Sequence, residues 1–511
     1  MIGRYIYMIC MCLVLSVGTV AAQTPLSLTD VKEMVRGGMT YVQDDLLVEG
    51  TVISIHRCGN LETNINDTYT SATTTADTRT AYIQSKDGVL GLALHFEHTA
   101  EADIPRYASV TVNLKGASMT LVKGVGLSAS GLTKESIMTV MPGTAADLPV
   151  KEKTIAQLTD DDVYTYVRIK DCECVFKDGA YGNIYEKYAA TSKLNKECKP
   201  YNTMDGWSSL LCDLNGDRIN LLVNCAADWR RSGAGVEQGI FDLEGIIVSA
   251  DLPRYGTENL SRYQIRPMEA SAFRPDQVEE GWKTLCMWNW NDKSSRTFDP
   301  ATGTATLTCE VPGASFSRCD EANNPKIISA KDHPDANGLW KDGALCISAH
   351  ACDWWNWQEN RGNGLRMTFS AADLKAQKAY VAFAFCGGKL HEAESSADFP
   401  SYWKVEYSLD GSVWKTMEDR TATMHSMIWK ANKPINGLVY PLSAEIGLGF
   451  TEHAFTFPED ISGHATVMVR ICPAAKNLST YAYKGSSSRA NRPDYSVDCL
   501  VNFGSIMIRY R

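Results

Sequence analysis

Hydrophobic residues alternate with polar ones over most of this chain, and one early stretch departs from that rhythm. Ser27-Leu28-Thr29-Asp30 leads into Val31-Lys32-Glu33-Met34-Val35 and stops at Gly37-Gly38. A hydroxyl residue ahead of the apolar positions, a glutamate in the next turn and a glycine pair behind predict a short capped helix. From there the period is two. Segments 46–54 (LLVEGTVIS), 80–84 (TAYIQ), 91–96 (GLALHF) and 109–114 (SVTVNL) are short, rich in β-branched and aromatic residues, and bounded by turn formers, which predicts strands. Lys86-Asp87-Gly88 predicts a hairpin between the second and third, because Asp-Gly accepts the positive φ angles of a tight turn.

The rhythm then repeats. A second leader at 154–158 (TIAQL) ends in the acidic triplet Asp160-Asp161-Asp162, read here as a solvated connector. Strands follow at 164–176 (YTYVRIKDCECVF), 208–212 (SSLLC), 219–224 (INLLVN) and 239–249 (GIFDLEGIIVS), with Asn215-Gly216 in the hairpin position. YIQSKDGVLGLALHF aligns with LLCDLNGDRINLLVN, and SVTVNLKGASM with IFDLEGIIVSA. Two copies of one unit are therefore expected, over 23–150 and 151–275, each of about 120 residues and suited to an OB-like Greek-key barrel. Asp213-Leu214-Asn215-Gly216-Asp217 also opens like a calcium loop, but position 12 is Asn224 where such a loop needs glutamate, so the hairpin reading stands.

From about residue 276 the composition changes: ten of the 12 tryptophans lie beyond it. Strand patterns at 379–386 (AYVAFAFC), 403–408 (WKVEYS), 465–472 (ATVMVRIC) and 500–510 (LVNFGSIMIRY), joined by long polar loops, predict a two-sheet sandwich over 276–511. The whole chain is expected to be all-β.

Of 511 residues, 44% are hydrophobic and 22% charged, which excludes a disordered or collagenous chain. The formal net charge is −10; residues 23–150 carry 9 basic against 14 acidic side chains, and 151–272 carry 15 against 19. Barrels that hold nucleic acid pair a basic groove with stacking aromatics, so a nucleic-acid partner is set aside. No run of 18 apolar residues occurs beyond residue 22, and no transmembrane helix is expected. Residues 1–22 read as a signal peptide, with Arg4, an apolar run over 6–20 and Val20-Ala21-Ala22 before Gln23; neither Cys10 nor Cys12 has a lipoprotein context. Export to the periplasm, cell surface or medium is expected. It makes disulfides the first expectation for nearby pairs among the 14 remaining cysteines, with the pairing left open. Cys172-Glu173-Cys174 puts two thiols on one strand face, for which buried thiols or one disulfide are preferred over a metal.

Two stretches carry a resemblance. Val48-Glu49-Gly50-Thr51-Val52-Ile53-Ser54 with Ala81-Tyr82-Ile83-Gln84 and Gly91-Leu92-Ala93-Leu94 resembles an OB-like domain of unknown function, common near the N-termini of secreted and surface proteins of the Bacteroidetes. That resemblance covers about residues 28–272 and implies architecture, with no catalytic residues to carry across. The segment Trp403-Lys404-Val405-Glu406-Tyr407-Ser408-Leu409-Asp410-Gly411-Ser412-Val413-Trp414 resembles the hairpin of galactose-binding-like jelly rolls, over about 280–511. It implies a jelly-roll sandwich of a kind that often binds carbohydrate.

The chain has no H-E-x-x-H, G-x-S-x-G or G-x-x-x-x-G-K pattern, and its nine histidines are scattered. A non-enzymatic protein is expected. Sugar recognition needs flat aromatic faces together with amides, carboxylates or guanidinium groups. Trp354, Trp355 and Trp357 with Asp353, Asn356, Glu359 and Arg361 supply both kinds, and Trp288 and Trp340 join them as candidate ligand contacts. On a strand Trp354 would face away from Trp355 and Trp357, so packing outweighs ligand binding for at least one ring. Trp288 and Trp290 are read first as packing, and Trp403 and Trp414 as core. No cofactor is expected, although structural calcium stays open. The leading function is an exported envelope protein binding glycan through its sandwich; the alternatives are a scaffold binding an envelope protein, a glycan-active hydrolase, and an OB-type nucleic-acid binder.

Overall fold

A computed structural model describes residues 24–61, 76–177, 183–184, 206–207, 209–223, 227, 229, 237–250, 261–275, 280–290, 298–319, 344–356, 361–375, 378–387, 399–400, 402–424, 451–474 and 498–511. The signal segment 1–22 lies outside them. Helix α1 (Leu28–Arg36) starts where expected: Ser27 Oγ accepts the Asp30 N–H at 3.1 Å, and Leu28 and Val31 are buried.

Behind it come β1 (Leu47–Val52), β2 (Thr80–Gln84), β3 (Gly91–Phe96), β4 (Ser109–Asn113), β5 (Ser118–Val122), β6 (Gly126–Leu132) and β7 (Ile137–Met141). They pair in the order β5-β6-β3-β2-β1-β4-β7, with β3 and β6 parallel and every other pair antiparallel. Because β4 runs on into β5 through a turn at 114–117, the sheet closes on itself. Alternate residues of β2 and β3 (Ala81, Ile83, Leu92 and Leu94) point into the barrel core.

The second unit repeats this plan. Its strands are β8 (Lys151–Lys153), β9 (Tyr166–Cys174), β10 (Ser209–Asp213), β11 (Arg218–Leu221), β12 (Phe241–Val248), β13 (Gln264–Arg266) and β14 (Phe273–Pro275). Their order is β14-β12-β13-β11-β10-β9-β8, and a direct β12–β9 pairing closes a five-stranded barrel. The parallel pair β11–β13 matches β3–β6, as an OB-type Greek key requires. Both hairpins turn on glycines in the left-handed region, Gly88 (φ 73°) and Gly216 (φ 86°). Asp213 braces the second by accepting the N–H groups of Asn215 and Asp217 at 2.8 and 3.0 Å.

The rest is a two-sheet sandwich. One sheet holds β17 (Ser315–Cys319), β18 (Ala344–His350), β25 (Asp498–Tyr510), β20 (Ala379–Gly387) and β23 (Thr451–Thr456), with β15 (Lys283–Trp288) also paired to β25. The other runs β16 (Ala305–Cys309), β19 (Leu365–Phe369), β24 (Val467–Pro473), β21 (Tyr402–Ser408) and β22 (Lys415–Thr416), and Ala422–Thr423 also pairs with β21. Between the sheets lie Trp288, Leu307, Met367, Phe383, Trp403, Val405, Val469 and Phe503. The chain is all-β, two barrels and a sandwich.

Two expectations fail within the described residues. The triplet Asp160–Asp162 is no solvated connector. Asp162 is buried and pairs with Lys151 at 2.9 Å and Lys153 at 2.5 Å, Asp161 pairs with Lys32 of α1 at 3.0 Å, and Asp160 with Arg262 at 3.1 Å. The triplet ties the first barrel to the second. Disulfides are also missing among the nine described cysteines. Cys172 and Cys174 do share a face, but it is the barrel core, where burial pushes both thiols up and leaves them protonated.

Candidate functional site

An OB barrel offers ligands the outer face of its second and third strands. In both barrels that face is already taken. On the first, Tyr82 and Ala93 join the core cluster of the second barrel, and the Tyr82 ring packs on Tyr164 at 5.2 Å. A Cβ on Gly91 would lie 1.8 Å from the Tyr164 carbonyl oxygen, and one on Gly126 would lie 2.6 Å from its ring. Gln84 completes the seam, donating to Pro149 O at 2.6 Å and accepting the Tyr166 N–H at 2.9 Å.

On the second barrel, Leu210 and Cys212 pack with Trp282, Tyr380, Ala382, Ala384, Ala454 and Met507 of the sandwich. Polar contacts surround this seam. Arg509 pairs with Glu173 at 2.6 Å, Arg218 with Glu418 at 2.5 Å, and the Leu210 N–H donates to Glu452 at 2.9 Å. One outer face of the sandwich is thereby covered; on the far sheet Arg366 and Trp414 are part-exposed while Glu406, Ser408 and Arg470 are buried.

That far face is built by register. Leu307, Leu365, Met367, Val405, Tyr407, Val469 and Ile471 point inward, so the residues between them point out. Strand pairing aligns Thr308, Arg366, Arg470, Glu406 and Thr416 in one row across β16, β19, β24, β21 and β22. Arg470 donates to Glu406 Oε2 from Nε at 3.0 Å and from Nη2 at 2.6 Å, and Lys404 donates to Glu406 Oε1. Burial pushes the Glu406 carboxyl up, but Lys404 and then Arg470 outweigh it and hold the group below its ordinary value. Glu310 sits beside the row, 3.4 Å from Arg366 Nε and 4.0 Å from Arg361 Nη1.

An indole lies over this row. The β21–β22 turn is fastened by Asp410, whose carboxylate accepts the Val413 and Ser412 N–H groups, each at 2.8 Å, and the Ser408 hydroxyl at 3.0 Å. Those bonds, led by Val413, hold Asp410 well below the usual carboxylate range. Gly411 takes the positive φ (76°) that the turn needs. The chain then returns with Trp414 partly exposed on the outer face and the Arg470 guanidinium 4.2 Å from its ring centroid. The reading of Trp414 as core is corrected, while Trp403 is fully buried. Counting would have found this: Glu406 faces Thr416 and Tyr407 faces Lys415, so Trp414 comes opposite the outward Ser408.

The candidates chosen from sequence mostly go elsewhere. Trp288, Trp354 and Trp355 are buried, so they present no ring face to a ligand. Trp354 packs edge-on against Trp403 at 5.6 Å, and Trp288 Nε1 donates to Phe298 O at 2.6 Å. The physical reason is that Trp288 and Trp354 fill the space between the sheets, while Trp355 is buried on the small ribbon where it pairs with Gly362. Asp353 and Asn356 are half-buried near a small ribbon in which Asn356 pairs with Arg361, and the Asp353 carbonyl accepts from Asn363 at 2.8 Å. Arg361 reaches the outer-face charges through Glu310. Trp340, Trp357 and Glu359 lie outside the described residues.

A cleft of about 370 Å3 lies by the second barrel's hairpin and is lined by Glu280, Lys283, Asp373, Lys375, Tyr510 and Arg511. Its charges are mixed, and Lys283 already pairs with Glu280 at 2.9 Å. Among the described residues no three His, Cys, Asp or Glu side chains cluster as a metal site, and no helix is long and apolar enough to cross a membrane.

No family model and no curated protein matches the sequence. Among solved structures, the CBM22-1 xylan-binding domain of Paenibacillus barcinonensis Xyn10C aligns with 46% of this chain and 97% of its own, at 8% identity and TM-score 0.22. The K3 cleaved adhesin domain of Lys-gingipain from Porphyromonas gingivalis aligns with 45% of this chain and 99% of its own, at 10% identity and TM-score 0.18. Likeness at this level assigns no ligand, and the outer-face geometry is what bears on function.

Proposed function

We propose that this is an exported, non-catalytic binding protein of a bacterial cell envelope that holds carbohydrate on the outer face of the sheet formed by β16, β19, β24, β21 and β22. The observation that carries this reading is Trp414, a partly exposed indole set on a row of arginine, carboxylate and hydroxyl side chains. An indole stacks on the apolar C–H face of a sugar ring, and the flanking donors and acceptors serve its hydroxyls. The covered barrel faces add support, since they leave the barrels as a stalk for the sandwich. Export rests on the apolar segment near residue 1.

The test is a glycan array followed by calorimetry on the hits. Trp414→Ala should weaken binding by about tenfold, the loss of one stacked aromatic, while the urea midpoint stays near that of the parent. Unchanged affinity in W414A removes the site.

A second reading, a scaffold for another envelope protein, is favoured by the edge strand β7, where Met138, Val140 and Met141 are exposed. Apolar edges of this kind recruit partners. Capture of an envelope protein through β7, insensitive to added sugar and abolished by Val140→Lys, would support it over the glycan reading.

A further inference from the structure

Among the described residues the charges on the outer face are out of balance. Arg361, Arg366, Lys404 and Arg470 stand there against Glu310 and Glu406, on a chain whose formal net charge is −10. Glu406 is fully engaged by Lys404 on one oxygen and by two Arg470 nitrogens on the other. Glu310 is shared loosely between Arg361 and Arg366, at 4.0 and 3.4 Å. Arg366 Nε is itself buried beside Glu310 and makes no hydrogen bond, while the side chain as a whole keeps 36% of its surface exposed. It stands next to Arg470 in the register row, and Arg470 in turn lies against Trp414. The Nη1 and Nη2 groups of a part-exposed guanidinium present parallel N–H donors matched to the two oxygens of an oxyanion.

We propose that this face selects an acidic glycan, with Arg366 receiving an oxyanion of one sugar while Trp414 stacks on a neighbouring ring. This rests on the glycan reading above and narrows its ligand to sugars bearing a carboxylate or a sulfate. Both groups present the same paired oxygens, so the chemistry is shared and the source is left to experiment.

The full-length mature protein is titrated calorimetrically with polygalacturonate, which carries carboxylates alone, and with dextran sulfate, which carries sulfates alone. Dextran and galactomannan serve as the neutral set. The expected result is binding to one acidic polymer over both neutral ones, weakened by salt as an exposed ion pair must be. Arg366→Gln should lower that affinity by about tenfold or more, and Arg366→Lys, which keeps the charge but loses the fork, should fall between. A urea midpoint for each variant keeps folding apart from binding. The acidic polymer that responds to Arg366→Gln identifies the oxyanion. Acidic binding indifferent to both Arg366 variants overturns the proposal. Neutral polymers bound equally well, with dependence on Trp414 but not on Arg366, overturn it and leave the broader glycan reading in place. Silence toward all four polymers, together with an empty glycan array, overturns both.

Discussion

Asp162 shows how a charged residue in a run of three can become structural. Its carboxylate is buried with Lys151 and Lys153 on either oxygen, and it also accepts the Thr159 N–H at 2.7 Å. Burial alone would push the group up, but the lysines and the Thr159 N–H outweigh it and hold it below 3.8. A carboxyl depressed in the folded state contributes stability above its unfolded value, and that stability is lost as pH falls through the folded one. Asp162→Asn should therefore cost about 3 kcal/mol near neutral pH by stranding two lysines. The gap to the parent should narrow as the pH drops below about 4, as urea denaturation of both proteins at several pH values will show. Composition made the triplet look like a solvent-facing linker, because it shows neither the fold of the chain back onto Lys151 and Lys153 nor Lys32, which takes Asp161 from 129 positions away.

At the scale of elements, the decisive contact is the slot that Tyr164 occupies. Gly91 and Gly126 leave room for its backbone and ring, and Tyr164 takes a positive φ of 67° to fit. A non-glycine residue rarely adopts that region unless its surroundings compel it. Gly91→Ala should push the barrels apart at this seam and destabilise the protein by about 2 kcal/mol through overpacking. The loss should appear as a lower urea midpoint and as faster proteolysis of the connector around 149–165. The strands themselves were legible in sequence, since alternation, Asp87-Gly88 and Asn215-Gly216 mark hairpins that the structure contains. The role of the outer faces was not. Tyr82 and Leu210 read as ordinary strand residues, and only the packing of successive domains turns them into seams.

At the scale of the whole molecule, the sandwich and second barrel meet across a seam that should sense pH. Glu452 is buried there and accepts the Leu210 N–H. Burial pushes its carboxyl up to about 8, with that single hydrogen bond pulling the other way, against an ordinary value of 4.5. Between those values the unfolded chain has given up a proton that the folded chain keeps, so stability falls as pH rises through the window and levels off above it. Glu452→Gln should flatten this slope. Urea midpoints taken from about pH 5 to pH 8 should converge for the variant while those of the parent decline, and parallel declines would show that another group is responsible.

What the amino-acid order determined by itself was local: which segments are strands, where hairpins turn, and that one barrel plan occurs twice. These follow from alternation and turn chemistry, which act over a few residues. Tertiary structure alone decided which surfaces stay open. Trp403 and Trp414 stand 11 positions apart in one hairpin, yet the first is sealed between two sheets and the second meets solvent beside Arg470. An indole gains by burial wherever a second sheet covers it, and whether one does depends on strands that arrive from distant parts of the chain.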